Sequence, residues 1–280
     1  MNKATGRKAK APRLDMLDMS LSLDTASYDR KLHKLQNRLM KIQQAYLLSG
    51  RSAVIVFEGW DAAGKGGAIR RISSAMDPRS FKVWPIGAPR NYYLERHYLT
   101  RFFERLPPRG AITVFDRSWY GRVLVERVEG LIPEDRWKDA YDEINAFEKM
   151  LVDDGRRIVK IFMHITPEEQ LARFEKRIHD PMKRWKLSYE DFRNRKAWPE
   201  YELAIGEMFD RTSTECAPWC LVPANDKKYA RIAAMDEVVT RLSRDVDLSP
   251  PKMDAAVLEE ANNHFDLPDP LLKSLAGRTD

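Results

Sequence analysis

The sequence has only two cysteines in 280 residues, too few for a disulfide scaffold. Cys216 and Cys220 stand in C-x3-C spacing around Pro218, with no second ligand pair nearby. That argues against zinc and against a redox pair, and they read as two small buried thiols. Long apolar runs are also missing. None approaches the roughly 18 residues that a membrane span needs, and no apolar signal segment of useful length follows the basic N-terminus. Repeats and low-complexity tracts are absent. The five histidines are scattered singly; His164 ends an apolar run and reads as a strand-end or core histidine rather than a base. What remains is a soluble cytoplasmic protein, whose 43% apolar content is ample for a full core.

The formal net charge is +6, which invites a polyanion partner. Five of the cations, Lys3, Arg7, Lys8, Lys10 and Arg13, lie in the first 13 residues, where there is no acid. The rest of the chain has 43 basic against 42 acidic residues, so it is nearly neutral. Residues 1–24 therefore read as a mobile basic tail. Any electrostatic function in the body must come from local clustering.

Leu32, Leu35, Leu39, Ile42 and Tyr46 recur at helical spacing with cations between them, and Gly50 ends the pattern. Continuously apolar runs at 53–57, 81–86, 111–115, 157–163 and 219–222 read as buried strands. Helical patterns fall between them at 68–76, 92–106, 134–154 and from 223 to about 246. This alternation predicts an α/β fold, a five-stranded parallel sheet between helices, over residues 25–246. Residues 247–280, with Pro250, Pro251, Pro268 and Pro270, read as a wrapping tail with one short helix. In such sheets ligands bind beyond the C-terminal strand ends.

Two motifs lie at those ends. The first strand runs into Gly59-Trp60-Asp61-Ala62-Ala63-Gly64-Lys65-Gly66-Gly67, which fits the phosphate-loop pattern G-x4-G-K. Glycines let backbone N–H groups turn inward around an anion. The next helix adds its positive N-terminus, and the lysine adds a mobile charge. The hydroxyl residue that normally follows the lysine and ligates magnesium is here Gly66, so a metal would need other ligands. Asp61, an acid inside a phosphate loop, is placed to meet a cation, take a proton or cap a backbone N–H. The third strand ends in Asp116-Arg117, and an acid there is the second magnesium-holding feature of such folds. Arg117 and Arg122 can reach a phosphate from the side opposite Lys65, or pair with Glu126 and Glu129.

After the fourth strand, residues 167–185 project onto a helix with Leu171, Phe174 and Ile178 on one arc. Arg173, Lys176, Arg177 and Asp180 fall on the other. Lys183, Arg184 and Lys186 follow. Phosphate-loop kinases carry a lid here, which brings cations over the phosphates and expels water; residues 167–190 are the expected lid.

Five segments in order now make the sequence recognisable. They are Gly59–Ala68 (GWDAAGKGGA), Phe115–Val123 (FDRSWYGRV) with Glu126–Gly130 (ERVEG), Asp180–Ser188 (DPMKRWKLS), Thr212–Trp219 (TSTECAPW) and Val222–Ala233 (VPANDKKYARIA). The sequence resembles the polyphosphate kinase 2 family over roughly residues 32–246, and most of all its polyphosphate:AMP branch. That branch often carries two such domains. Gly66 departs from the general loop pattern but agrees with this family. The resemblance implies a thymidylate-kinase-like phosphate-loop kinase fold with a lid, assembled as a homodimer or homotetramer. It implies reversible Mg2+-dependent phosphoryl transfer between inorganic polyphosphate and adenine or guanine nucleotides, AMP to ADP favoured over ADP to ATP. No membrane and no specific nucleic acid are expected as partners. Carried over by position, Asp61, Lys65, Asp116, Arg117, Arg122 and Arg177 would be catalytic, with Asp61 and Asp116 on the metal. Gly59, Ala62, Ala63, Gly64, Gly66, Gly67, Arg173, Lys183 and Lys186 would bind phosphates, and Glu126 the nucleotide. Two rivals stand beside this reading: an ATP-dependent nucleoside monophosphate kinase, and a polyanion-binding module without activity.

Overall fold

Strand β1 (Ser52–Gly59) is buried along almost its whole length because neighbours cover both faces and both edges. In the computed structural model, which describes residues 7–265 and 268–275, it pairs in parallel with β3 (Ile112–Asp116) and β4 (Arg156–His164). β2 (Phe81–Pro85) and β5 (Trp219–Pro223) close the edges, giving the order β2-β3-β1-β4-β5, all parallel. Val56, Phe115 and Lys160 are in one register across the three central strands. The C-terminal ends of β1, β3 and β4 therefore lie side by side, and the loops that follow them share one edge of the sheet.

Helix α1 (Thr25–Ser49) is capped by Asp24 and ends in left-handed Gly50. It buries Leu35, Leu39, Ile42 and Tyr46 and lies against α10 (Lys227–Ser243), where the Tyr46 hydroxyl donates to the Leu242 carbonyl at 3.0 Å. α2 (Lys65–Ser73) follows the phosphate loop. The single helix expected over 92–106 is instead two short ones, α3 (Asn91–Leu94) and α4 (Thr100–Phe103). Tyr98, Leu99 and Phe102 bury closely spaced side chains, while residues around 91–97 stay largely at the surface; aromatic residues hold a helix weakly. α5 (Val125–Val128) and α6 (Glu134–Asp153) come next.

The segment after β4 departs most from expectation. α7 (Pro167–His179) buries Gln170, Arg173 and Phe174, while Leu171 and Ile178 are about half exposed. Of the apolar arc drawn from periodicity only Phe174 is buried, and the buried face runs through Gln170 and Arg173 as well. Polar contacts to the phosphate loop decide the face instead. A short turn, Arg184–Lys186, leads to two helices that the sequence reading left out, α8 (Tyr189–Lys196) and α9 (Trp198–Thr212). Their signals are present: a Ser188–Asp191 capping box starts α8. Tyr201, Ala204, Ile205, Met208 and Phe209 form the buried stripe of α9.

Near the N-terminus, residues 7–9 are not a free arm. Ala9 N–H donates to the Ser213 carbonyl and Glu215 N–H to the Arg7 carbonyl, at 2.9 and 2.8 Å. Cys216 and Cys220 are free thiols and only partly buried, and burial pushes the Cys220 thiol up to about 12. The chain divides into two compact units at Val246/Asp247. The second holds two helices, α11 (Ala255–Phe265) and α12 (Asp269–Leu275), where one was expected. Among the described residues no helix is long and apolar enough to cross a membrane.

Candidate active site

The phosphate loop begins where β1 must turn sharply. Gly59 has φ +141°, and a Cβ there would sit 2.3 Å from the Met163 carbonyl oxygen on β4, so only glycine fits. Ala62 takes a left-handed φ of +64°, unusual for a residue with a side chain. Trp60 anchors the loop. Its ring stacks on Trp198 at 3.5 Å and 3°, and its indole N–H donates to His164 Nδ1 at 2.8 Å. Burial holds His164 down at about 4, so this nitrogen stays an acceptor at neutral pH. His164 is the core histidine that its position suggested.

Lys65, the first residue of α2, is buried and bends back over its own loop. Its Nζ donates to the carbonyls of Gly59 and Trp60 at 2.6 and 3.1 Å. An ammonium has three N–H groups, so one remains for a ligand. Burial lowers its pKa, with Arg117 adding to the effect while Asp61 and Asp116 oppose it. Asp61 accepts from Arg117 Nη2 at 2.7 Å and from Asn194 Nδ2 at 2.9 Å. Burial works to raise its pKa, but Arg117, Lys65 and the two hydrogen bonds outweigh it and hold it below the usual carboxylate value. Arg117 sits at φ +65°, directly after the end of β3. Next to it the Ser118 hydroxyl donates to buried Glu58 at 2.7 Å, a carboxyl that burial pushes up. Sequence reading missed Glu58, which falls between the apolar run 53–57 and the first loop glycine, Gly59.

Asp61, Lys65, Arg117 and Asn194 open onto a cleft of about 760 Å³. Its lining includes Asp61, Lys65, Gly66, Asp116 and Arg117 from the strand ends and Arg177, Lys183 and Lys186 from the segment after β4. Arg70, Arg71 and Arg231 line it too. A neighbouring cavity of about 240 Å³ adds Lys176 and Lys227. Lys176 belongs to the cationic arc read from the sequence, whereas Arg70, Arg71, Lys227 and Arg231 were not singled out, since isolated cations on α2 and α10 look like solvated helix faces. Arg177 also meets Asp191 at 3.8 Å, and Lys183 pairs with Asp180.

Three expected residues behave differently. Arg122 pairs with Glu126 one helical turn on, and its guanidinium lies 4.3 Å from the Tyr98 ring centre. Neither Arg122 nor Glu126 lines the cleft, so the structural alternative for that pair is the one seen. Arg173 is buried against the loop, with every guanidinium N–H on a protein acceptor; it is not a free lid cation.

Magnesium is a hard cation that keeps several waters and takes one or two carboxylates plus substrate phosphates. Asp116 fits that role: among the described residues its carboxylate accepts no hydrogen bond. A Cβ on Gly66 would lie 4.0 Å from its Oδ2, so the missing hydroxyl residue would have faced this same carboxylate. No group of three or more acidic, histidine or cysteine residues is gathered to hold a metal among the described residues.

A parallel sheet, a phosphate loop at the end of β1, an acid at the end of β3 and a cationic segment after β4 define a phosphate-loop kinase fold. The sequence matches the family described as Polyphosphate kinase 2 over residues 22–248, and the chain belongs to that family. It is 48% identical over 231 residues to a polyphosphate:AMP phosphotransferase of Pseudomonas syringae, covering 82% of this chain and 46% of that one. It is 42% identical to ADP-polyphosphate phosphotransferase 2 of Rhizobium meliloti, covering 84% of this chain and 74% of that one. A solved polyphosphate kinase 2 from Arthrobacter aurescens superposes with a TM-score of 0.85 at 31% identity, covering 92% of this chain and 95% of that one. The chain thus spans about half the length of the polyphosphate:AMP relatives it matches.

Proposed function

We propose that this chain catalyses Mg2+-dependent, reversible transfer of a terminal phosphoryl group from inorganic polyphosphate to a nucleotide, with AMP as the favoured acceptor. The observation that carries this is the density of cations around one phosphate loop. Lys65, Arg177, Lys183 and Lys186 line the cleft, and Arg70, Arg71, Lys176, Lys227 and Arg231 extend the positive lining. That lining suits an extended chain bearing about one charge per phosphate, held by the electrostatics that hold nucleic acids.

Phosphoryl transfer needs positioning and charge neutralisation more than covalent chemistry. The N–H groups of the loop and of the α2 N-terminus cradle the donor phosphate. The third N–H of Lys65 and the guanidinium of Arg117 take up charge on the transferring group. Asp116, with Asp61 beside it, would hold Mg2+, which when bound neutralises phosphate oxygens. Asp61, kept ionised by Arg117 and Asn194, orients the attacking acceptor phosphate. One anhydride bond breaks and one forms, so the reaction runs both ways. The AMP preference rests on the names of the relatives at 45–48% identity; those named for ADP or GDP stand at 39–42%. A homodimer or homotetramer in the cytoplasm belongs to the same reading, supported by the exposed apolar side chains Met40, Leu47 and Leu48 on α1.

The test is to incubate the protein with Mg2+ and polyphosphate, without ATP, in parallel with AMP and with ADP. ADP formed from AMP, with little ATP from ADP, is expected. ATP from ADP alone overturns the acceptor. No product from either, with transfer from ATP instead, returns the ATP-dependent rival.

A further inference from the structure

We propose that Arg173, with Gln170 beside it, is a positioning residue that shapes the phosphate loop and does not touch the polyphosphate chain. This rests on the polyphosphate reading above. The guanidinium is 3% exposed, and each of its five N–H groups has its own acceptor. Nε donates to Glu169 at 2.6 Å. Nη1 donates to the carbonyls of Ala62 and Ala63 at 2.9 and 3.0 Å. Nη2 donates to the carbonyls of Ala224 and Asn225 at 2.6 and 2.7 Å. No donor remains for a phosphate. A buried charge is tolerated only when it is matched in this way.

One helical turn earlier, Gln170 is 1% exposed and donates to the Asp61 carbonyl at 3.0 Å. The buried polar face of α7 therefore holds three successive loop carbonyls, those of Asp61, Ala62 and Ala63. Lys65 holds the two before them. In a trans peptide the carbonyl and the following N–H point opposite ways. Drawing the Ala63 carbonyl toward α7 thus turns the Gly64 N–H away from α7. Drawing the Ala62 carbonyl the same way holds that residue in its left-handed conformation, which an alanine does not keep unaided. Through Ala224 and Asn225, the same guanidinium ties the loop to the turn that carries Lys227.

A residue that shapes the loop and a cation that binds the chain leave different traces. The full chain is prepared as Arg173→Gln, Arg173→Lys, Gln170→Leu and Arg177→Gln, with folding checked by thermal melting. Polyphosphate affinity is measured by equilibrium dialysis over a salt series, and kcat with saturating polyphosphate and nucleotide. Arg177→Gln is expected to weaken binding and flatten the plot of log affinity against log salt by about 0.7, one lost contact. Arg173→Gln is expected to keep the wild-type slope while kcat falls at least about 10-fold, because donors to a reacting phosphate are sensitive to small displacement. Arg173→Lys, which keeps the charge but not the fork, is expected to lose kcat too. Gln170→Leu, which removes no charge, is expected to follow with a smaller loss. Arg173→Gln flattening the slope as Arg177→Gln does, or Arg173→Lys and Gln170→Leu both turning over at the wild-type rate, overturns the inference. Should Arg173→Gln not fold, the kcat of Arg173→Lys and Gln170→Leu decides it. Wild-type protein with no polyphosphate-dependent turnover removes the functional reading, and this inference with it.

Discussion

Lys65 holds two loop carbonyls, those of Gly59 and Trp60, and in the proposed mechanism its third N–H takes up charge on the transferring group. Its replacement by alanine should lower kcat by at least about 100-fold, as loss of a direct electrostatic stabiliser does elsewhere. Near-full activity in that variant would remove the mechanism, whereas near-full activity of Asp61→Asn would remove only the role given to Asp61. Gly59→Ala should be worse than a catalytic loss alone. Its Cβ would meet the backbone of β4 at 2.3 Å, so both the melting temperature and kcat should drop, and an unchanged melting curve contradicts that packing. His164 gives a pH signature. Its folded pKa of about 4 lies below the ordinary 6.5, so the unfolded chain takes up the proton first. The stability it contributes is complete above pH 6.5 and is lost as pH falls through 4, by about 3 kcal/mol. Urea midpoints between pH 7 and 4, compared with those of His164→Gln, should show the variant to be the flatter curve.

Among the elements, the turn Trp119–Arg122 that follows the C-terminal end of β3 is tethered through a buried ion pair. Lys160 on β4 and Glu148 on α6 lie 2.7 Å apart, 0% and 1% exposed. Glu148 also accepts from the Trp119 indole and the Tyr120 hydroxyl, at 3.1 and 2.7 Å. Lys160 also donates to the Thr212 carbonyl at the end of α9. Lys160→Met leaves Glu148 charged, buried and short of a partner, and should destabilise the chain by about 3–5 kcal/mol, read as a shift in the urea midpoint. A change below about 1 kcal/mol would show the pair to be hydrated. This network was invisible in the sequence because a lysine within Arg157–Met163 reads as an interruption of an apolar strand. Its partner lies a dozen residues earlier, on a different element. α7 taught the same lesson. Its periodicity correctly gave a helix, but Leu171 and Ile178 face outward because Gln170 and Arg173 have carbonyl partners on the phosphate loop.

For the molecule as a whole, a nearly neutral body holds a local cluster of cations at the cleft. The cations that line it come from the phosphate loop and α2, the segment after β4 and α10, with Arg117 after β3. Polyphosphate affinity should therefore fall at least about 10-fold between 50 and 200 mM salt, while AMP, with fewer charges, loses much less. Equilibrium dialysis at the two salt concentrations reads this directly, and equal losses for both ligands would place the chain outside the cationic cleft.

The alternation of strands and helices, the parallel sheet, the phosphate loop with Lys65, the acid ending β3 and the family were all legible before folding was considered. All of these are local signals: continuous apolar runs, glycine spacing, and a lysine at a helix start. Tertiary structure decided which face of α7 is buried, that Arg122 meets Glu126, and that Asn194 reaches Asp61 across more than a hundred residues. It also decided that Arg173 serves the loop. The physical reason is shared: a polar side chain takes its role from the partner it finds, and that partner is brought near only by folding.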